Sequence, residues 1–242
     1  DRARPSAPPE QRDYLESALA HLEEASIGTI HAFCGQILRE RPVEALVDPA
    51  FRELTDLESR QIFDRAFRGW VQRQLDRPSP GLRRALIRLA LAKSDEPPLD
   101  RLKSAGRSLI DWRDYPTKWE RVHFEREAEL DALCERVRKA GPNVNQKFQV
   151  VADVAAWIER SEAVGRRDYD VLESLLLKLL RDLTNLKRKG AEELIYSLEQ
   201  FRTQTEADLA HLLREEMTGL VERYEDLKRQ AGLLDFHDLL LK

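Results

Sequence analysis

Between positions 194 and 227, apolar residues recur every three or four positions, with one wider gap around Met217. This spacing places them on one face of an α-helix, in which about 3.6 residues make a turn. If unbroken, such a helix would extend ~50 Å at about 1.5 Å per residue. The pattern therefore predicts a long helix near the C-terminus, and Gly219 is the expected position of a kink.

The rest of the chain shows the same periodicity in shorter segments, which prolines and glycines separate. Thr55 and Glu58 are spaced as a capping box, in which each side chain caps the backbone of the other. No stretch of convincing length alternates apolar and polar residues as a half-buried strand does. The sequence predicts an all-α multi-helix bundle with a long C-terminal returning helix. The shorter predicted helices cover residues 11–25, 31–41, 56–75 after the capping box, 80–93, 99–110, 116–140, 150–158 and 172–186.

The charge, the cysteine content and the hydropathy of the chain limit the kinds of function that it can have. The 242 residues include 40 basic and 44 acidic side chains, for a formal net charge of −4. A nucleic-acid-binding surface must therefore be local rather than global. The two cysteines lie far apart in sequence and no apolar run approaches the ~20 residues that cross a bilayer. We expect a cytoplasmic protein without a membrane segment. Because the chain begins at Asp1 and lacks an initiator Met, we expect it to be part of a longer one.

Two local clusters of basic residues stand out. They admit two interpretations: the solvated faces of amphipathic helices, or contacts to a phosphate backbone, which needs positive charge but no base-reading geometry. Thr184 and Asn185 would suit such contacts. The first cluster comprises Lys178, Arg181, Lys187, Arg188 and Lys189, opposed only by Asp182 between positions 176 and 190, and the second comprises Arg83, Arg84, Arg88 and Lys93.

His31 and Cys34 are three residues apart and would share one helical face. They could belong to a metal site or to a nucleophile pair, but the other histidines show no paired ligand spacing and no third orienting group is evident. Free cysteine is also among the most frequently buried residues. We therefore interpret Cys34 as a packing residue and keep a small metallo- or cysteine enzyme as an alternative.

The two ends of the chain carry the most specific motifs. Residues 27–34 read I-G-T-I-H-A-F-C, and residues 224–240 read Y-E-D-L-K-R-Q-A-G-L-L-D-F-H-D-L-L. The first resembles the T-[IF]-H-[AS]-F motif of superfamily-1 DNA helicases of the UvrD/Rep type, in the I-x-T-I-H-x-F-C form of the RecB/AddA-like branch. The second is similar to the Y-x-x-x-K-x-x-x-G-x-[LI]-D-F-x-D-L segment of the same family.

The resemblance implies a division of the chain. Residues 1–41 and 224–242 would be stubs of motor domain 1A, and residues 42–223 would be domain 1B, a helical arm lying over duplex DNA ahead of the unwinding junction. The parent would be an ATP-dependent DNA helicase or helicase–nuclease of recombinational repair that uses ATP and Mg²⁺. Neither G-x-x-x-x-G-K-[ST] nor a D-E-x-Q stretch occurs in this chain, so we expect no catalytic residues, no metal and no activity in the fragment alone.

The resemblance also assigns roles to single residues. Thr29 and His31 match positions along the single-stranded DNA path of the motor, and Asp235, Phe236 and Asp238 match a motif that supports the motor core. The expected partners are duplex and single-stranded DNA, the remaining helicase domains and a second helicase–nuclease subunit. The alternative is a self-contained helical scaffold or interaction module that does not bind DNA.

Overall fold

The computed structural model describes residues 8–21, 28–92, 94–115, 123–140, 149–165, 167–185 and 191–242. Helices dominate these ranges, which confirms the predicted fold class, and none of the described helices is both long and apolar enough to span a membrane. The helices are α1 Pro9–Ala20, α2 Ile30–Glu40, α3 Asp56–Leu75, α4 Pro80–Leu91, α5 Pro98–Asp111, α6 Arg126–Ala140, α7 Gln149–Ala163, α8 Tyr169–Asn185, α9 Glu192–Glu216, α10 Thr218–Gln230 and α11 Asp238–Leu241; the strands are β1 Arg52–Glu53 and β2 Leu233–Leu234.

Local signals set several helix starts where the sequence predicts them. The Thr29 side chain caps α2 by accepting a hydrogen bond from the amide of Ala32 at 3.2 Å. At the start of α3 the capping box is reciprocal: the amide of Thr55 donates to Glu58 Oε2 at 2.9 Å, and the amide of Glu58 donates to Thr55 Oγ1 at 3.3 Å. The hydrogen bonds from Thr55 lower the pKa of Glu58 to about 2.

The predicted long C-terminal helix is present as α9 followed by α10. The break lies at Met217, two residues before the expected kink at Gly219. Met217 is buried among apolar side chains, and its amide still donates to the carbonyl of Leu213 at 2.9 Å. The turn therefore keeps its hydrogen bond, and Leu220 and Tyr224 beyond it are buried in the same apolar cluster as Met217.

Some predicted boundaries fall on residues outside the described ranges. These are the end of the first predicted helix at residues 22–25, the helix start after Pro116, and the segment 186–190. The prediction of one helix over 116–140 is wrong at residues 123–125, which are described and not helical, so that α6 begins only at Arg126.

Contacts between residues divide the chain into two compact units. The terminal unit comprises Asp1–Arg60 with Lys228–Lys242, and the helical unit comprises Gln61–Leu227. In the terminal unit β1 and β2 pair in parallel, with Arg52 opposite Leu233. Because Gly232, which precedes β2, has φ +61°, a side chain there would be strained. The apolar core of the terminal unit is small: it consists of Leu38 of α2, Phe51 and Leu239 of α11, which are buried together.

The described residues of the helical unit form two apolar clusters. In one, buried leucines of α6 and α8 pack with Val151 and Ile158 of α7 and with Phe201 of α9. In the other, Phe63, Phe67 and Trp70 of α3 pack with residues of α4, α5 and α10. Each helix thus buries an apolar stripe against its neighbours, as the sequence periodicity predicts.

A buried ion network links α4 to α6, α8 and α9 within the helical unit. Its centre is Arg84 of α4, which is 2% exposed. Arg84 Nε lies 2.9 Å from Glu173 Oε2, and Arg84 Nη1 lies 2.6 Å from Asp208 Oδ2. Glu173 also accepts from Arg126 Nε at 2.6 Å. Because both Arg84 and Glu173 are buried, each needs the other to offset the cost of leaving water.

The second predicted basic cluster therefore needs a correction. Arg84 belongs to the core rather than to a solvated face, and Arg83 pairs with Asp168 at 2.6 Å and with Asp170. Hydrogen bonding to Arg83 holds the pKa of Asp168 below its ordinary value. These two guanidiniums are engaged by carboxylates, and Lys93 lies outside the described residues.

Replacing Arg84 by Met should lower the free energy of unfolding of the helical unit by about 3–5 kcal/mol, because Glu173 and Asp208 lose a shared buried partner. Urea denaturation followed by circular dichroism at the helix band measures the change. Arg160→Gln on α7 is the matched control: Arg160 is exposed and donates to the carbonyl of Ala156 in its own helix, so the effect should stay within about 0.5 kcal/mol. Equal midpoints for R84M and R160Q would contradict the structural role of the network.

Candidate nucleic-acid interface

A cleft of about 370 Å³ lies between α4, α5, α8 and α9 of the helical unit. Among the described side chains that line it, five are cationic and one, Glu206, is acidic. The cationic side chains are Arg88 from α4, Arg101 from α5, Lys178 and Arg181 from α8, and Arg202 from α9. The excess of positive charge makes this cleft the candidate site for an anionic ligand.

The helical repeat explains how α8 contributes to the cleft. Its buried face carries leucines from Leu172 to Leu183, which pack in the core. Lys178 and Arg181 are three residues apart and therefore share a different face of the same helix. Lys178 is exposed and Arg181 is half-buried. Core packing of the leucine face thus fixes the direction in which the two cations are presented.

Hydrogen-bond donors in the cleft are left without partners. Nε and Nη2 of Arg181 and Nη2 of Arg88 are buried, and no described group accepts a hydrogen bond from them. Arg88 Nε lies 3.5 Å from Glu173, the carboxylate of the ion network. Burial lowers the pKa of Arg88, opposed by the nearby charge of Glu173, yet a guanidinium stays protonated in proteins. Two of the arginines that line the cleft, Arg88 and Arg181, therefore carry buried donors that no described group satisfies.

The residues predicted to bind DNA are only partly brought together. Lys178 and Arg181 line the cleft, whereas Lys187, Arg188 and Lys189 lie outside the described residues. The hydroxyl of Thr184 donates to the carbonyl of Leu180 at 2.6 Å, so its proton is already engaged.

Sequence reasoning missed Arg101 and Arg202. Each is an isolated cation on the polar side of its own helix, far in sequence from α8, and no local pattern separates such a residue from any other solvated arginine. Helix packing alone brings them to the cleft.

In the terminal unit, His31 stacks on Phe236. The ring centroids are 3.4 Å apart and the planes are inclined by 27°. His31 is half-buried with no hydrogen-bond partner at Nε2 among the described residues, and Phe236 is 59% exposed. The two sequence motifs, almost 200 residues apart, therefore meet directly in this unit.

The second motif is held by a buried lysine. Lys228 is 1% exposed, and its Nζ lies 2.9 Å from Asp235 Oδ2 and 2.6 Å from Asp238 Oδ2. The amide of Asp235 donates to Asp238 at 2.9 Å, and Asp235 accepts from the amides of His237 and Asp238. This arrangement closes the turn that carries Phe236. From the sequence, Lys228 is recognised only as the lysine of the second motif, without a structural role.

The two cysteines differ in environment. Cys34 is half-buried and packs on the small core of Leu38, Phe51 and Leu239. Cys134 is fully buried in the helical unit, and this burial raises the pKa of its thiol to about 11. Among the described residues, no group of three or more metal-ligating side chains includes His31 or Cys34.

The family model described as UvrD/REP helicase N-terminal domain matches residues 6–242. The chain belongs to the UvrD/Rep helicase family. Over 93% of its length it is 24% identical to the A subunit of the ATP-dependent helicase/nuclease of Bacillus cytotoxicus and 23% identical to its counterpart in Syntrophomonas wolfei. A 61-residue stretch, 25% of the chain, is 38% identical to the corresponding A subunit of Listeria monocytogenes strain HCC23 and covers 5% of that protein. The chain spans 22% of the length of the Bacillus and Syntrophomonas relatives.

The relatives are named as ATP-dependent, and two features of this chain bear on where a nucleotide and its metal would bind. The sequence lacks the glycine-rich phosphate loop. The buried carboxylates of the second motif, Asp235 and Asp238, are engaged by the ammonium of Lys228. No step of ATP chemistry is therefore assigned to these residues.

In this UvrD/Rep family member, Lys228→Met should destabilise the terminal unit by about 3–5 kcal/mol, because Asp235 and Asp238 would stay buried without their cation. Hydrogen exchange followed by mass spectrometry should show loss of protection across residues 229–242. Lys242→Met, at an exposed lysine, is the matched control and should leave protection unchanged. Equal protection in K228M and the wild type would contradict the role of Lys228.

A chromogenic disulfide reagent at neutral pH should modify Cys34 in the folded chain and Cys134 only after unfolding. The thiolate is the reactive form, and Cys134 is both inaccessible and held protonated. Cys34→Ser should therefore abolish the native-state reaction and leave one thiol that appears in denaturant. Rapid labelling of folded C34S would contradict the packing of Cys134.

Proposed function

We propose that this chain is the domain 1B region of a helicase related to the helicase/nuclease A subunits, with residues 42–223 as the helical arm and residues 1–41 and 224–242 as stubs of motor domain 1A. The arm contacts duplex DNA ahead of the unwinding junction through the phosphate backbone. ATP and Mg²⁺ bind to parts of the parent beyond this chain, and a second helicase–nuclease subunit completes the assembly.

The cationic cleft is the observation that carries the proposal. Backbone recognition requires clustered positive charge without a base-reading element, and the cleft supplies five cations from four helices. Of these, Arg101, Lys178, Arg181 and Arg202 form no ion pair within the described part of the chain. Their charge is therefore available to a polyanion.

The terminal unit contributes to single-stranded DNA binding in the complete motor. The Nε2 atom of His31 is buried and has no hydrogen-bond partner among the described residues, and once it is exposed in the complete motor it would hydrogen-bond to a phosphate oxygen. The Thr29 hydroxyl accepts from an amide of α2, which leaves its proton for the same backbone. Asp235, Phe236 and Asp238 support this placement by fixing the turn against His31.

Fluorescence anisotropy with a labelled duplex at two salt concentrations tests the arm. If about three phosphates are neutralised, raising salt fourfold should weaken binding ~40-fold. Replacing Lys178 and Arg101 together by Gln should reduce the slope of log affinity against log salt by about two, because each removed phosphate contact lowers it by about one. R160Q should bind like the wild type. Absence of salt-sensitive binding at low salt would favour the alternative, a helical scaffold that does not bind DNA.

A further inference from the structure

We propose that Arg181 and Arg88 form a discrete subsite for a single phosphate group inside the cationic cleft. This inference rests on the proposed function, which makes a DNA backbone the source of the phosphate. It goes beyond a diffuse basic surface because it assigns one anion to defined donors.

The first observation is the geometry of the unpartnered donors. Nε and Nη2 of Arg181, both buried without an acceptor, are the two nitrogens on the side edge of the guanidinium. Their N–H bonds point in nearly the same direction and form the fork that binds two oxygens of one oxyanion. Arg181 therefore presents a complete bidentate edge that nothing in the described chain uses.

The second observation is the contrast with the other buried arginines of the helical unit. Arg84 and Arg126 direct their nitrogens at Glu173, Asp208 and Asp170. Arg181 forms no ion pair within the described ranges, although its Nε and Nη2 are buried. A buried charged donor without an acceptor is unfavourable, and an oxyanion in the cleft would satisfy it once the guanidinium turns toward the open space.

The third observation concerns Arg88. It is the third guanidinium around Glu173, after Arg84 and Arg126, and it lies furthest from that carboxylate, at 3.5 Å. Its Nη2 has no acceptor among the described groups, and its side chain is 18% exposed where it lines the cleft. Glu173 therefore contacts Arg88 at Nε, and the N–H groups of the neighbouring Nη2 remain for a ligand.

Phosphate fits these donors better than a carboxylate does. The subsite lies in a cleft with three more cations and one acidic side chain, a charge balance that suits a chain of phosphates rather than an isolated carboxylate. A tetrahedral phosphate can also accept from the Arg181 fork with two oxygens and from Arg88 with a third.

Inorganic phosphate is the probe for the subsite. NMR of arginine Nε–H signals in the full chain, titrated with phosphate at constant low ionic strength, should show saturable shifts for Arg181 and Arg88 and none for Arg160. Sodium chloride and acetate titrations at the same ionic strength serve as controls for charge screening and for carboxylate binding. Arg181→Gln should abolish the shift of Arg88, with helix content unchanged by circular dichroism.

Two further measurements distinguish phosphate binding at the subsite from general electrostatic attraction to the cleft. Arg181→Lys retains the charge but lacks the fork of two parallel N–H groups. The affinity for phosphate should therefore fall ~10-fold, which corresponds to the loss of about one charged hydrogen bond. The slope of log duplex affinity against log salt should change by no more than about one. Saturating duplex should displace the phosphate if both occupy the same donors.

The outcomes distinguish the two proposals. If phosphate shifts neither arginine, or if R181K binds it like the wild type, the subsite is wrong, and salt-sensitive duplex binding would still support the arm. If phosphate binds but duplex does not displace it, the donors bind a free phosphate rather than a DNA backbone, and the assignment is overturned. If duplex binding itself is absent, the proposed function fails independently.

Discussion

The helical unit depends on the contact between Arg84 and Glu173. Both side chains are buried, and together with Asp208 and Arg126 they connect α4, α6, α8 and α9 through charge-assisted hydrogen bonds. Leucine stripes supply most of the buried area, but apolar packing is tolerant of small shifts, whereas a buried ion pair requires one register. The network therefore specifies which turn of each helix faces its neighbour.

The same carboxylate connects the scaffold to the candidate interface. Glu173 holds Arg84 and Arg126 in the core, and it also contacts Arg88 at the edge of the cleft. The position of Arg88 is therefore set by the interaction that orients the bundle. A rigid, preorganised cation loses less conformational freedom when an anion binds than a flexible surface lysine does.

The terminal unit illustrates a different constraint. Two parallel strands of two residues each cannot form a stable sheet by themselves, since parallel sheets are normally covered on both faces. Apolar side chains of this unit are exposed, Ile30 and Phe236 among them. The described residues are held together by the small core around Phe51, by the buried Lys228 with its two aspartates, and by the stack of His31 on Phe236.

The sequence by itself determined the helical class, the capping box at Thr55, and family membership, because these depend on local spacing and on contiguous motifs. It placed the break near Met217 only approximately, since burial of that side chain depends on its neighbours. The tertiary structure decided that Arg84 is a core residue, that Lys228 pairs with Asp235 and Asp238, and that Arg101 and Arg202 join Lys178 and Arg181 in one cleft. The physical reason is that a charged side chain has the same local pattern whether it meets water, a carboxylate or another cation. Only the packing of distant helices determines which of these it meets.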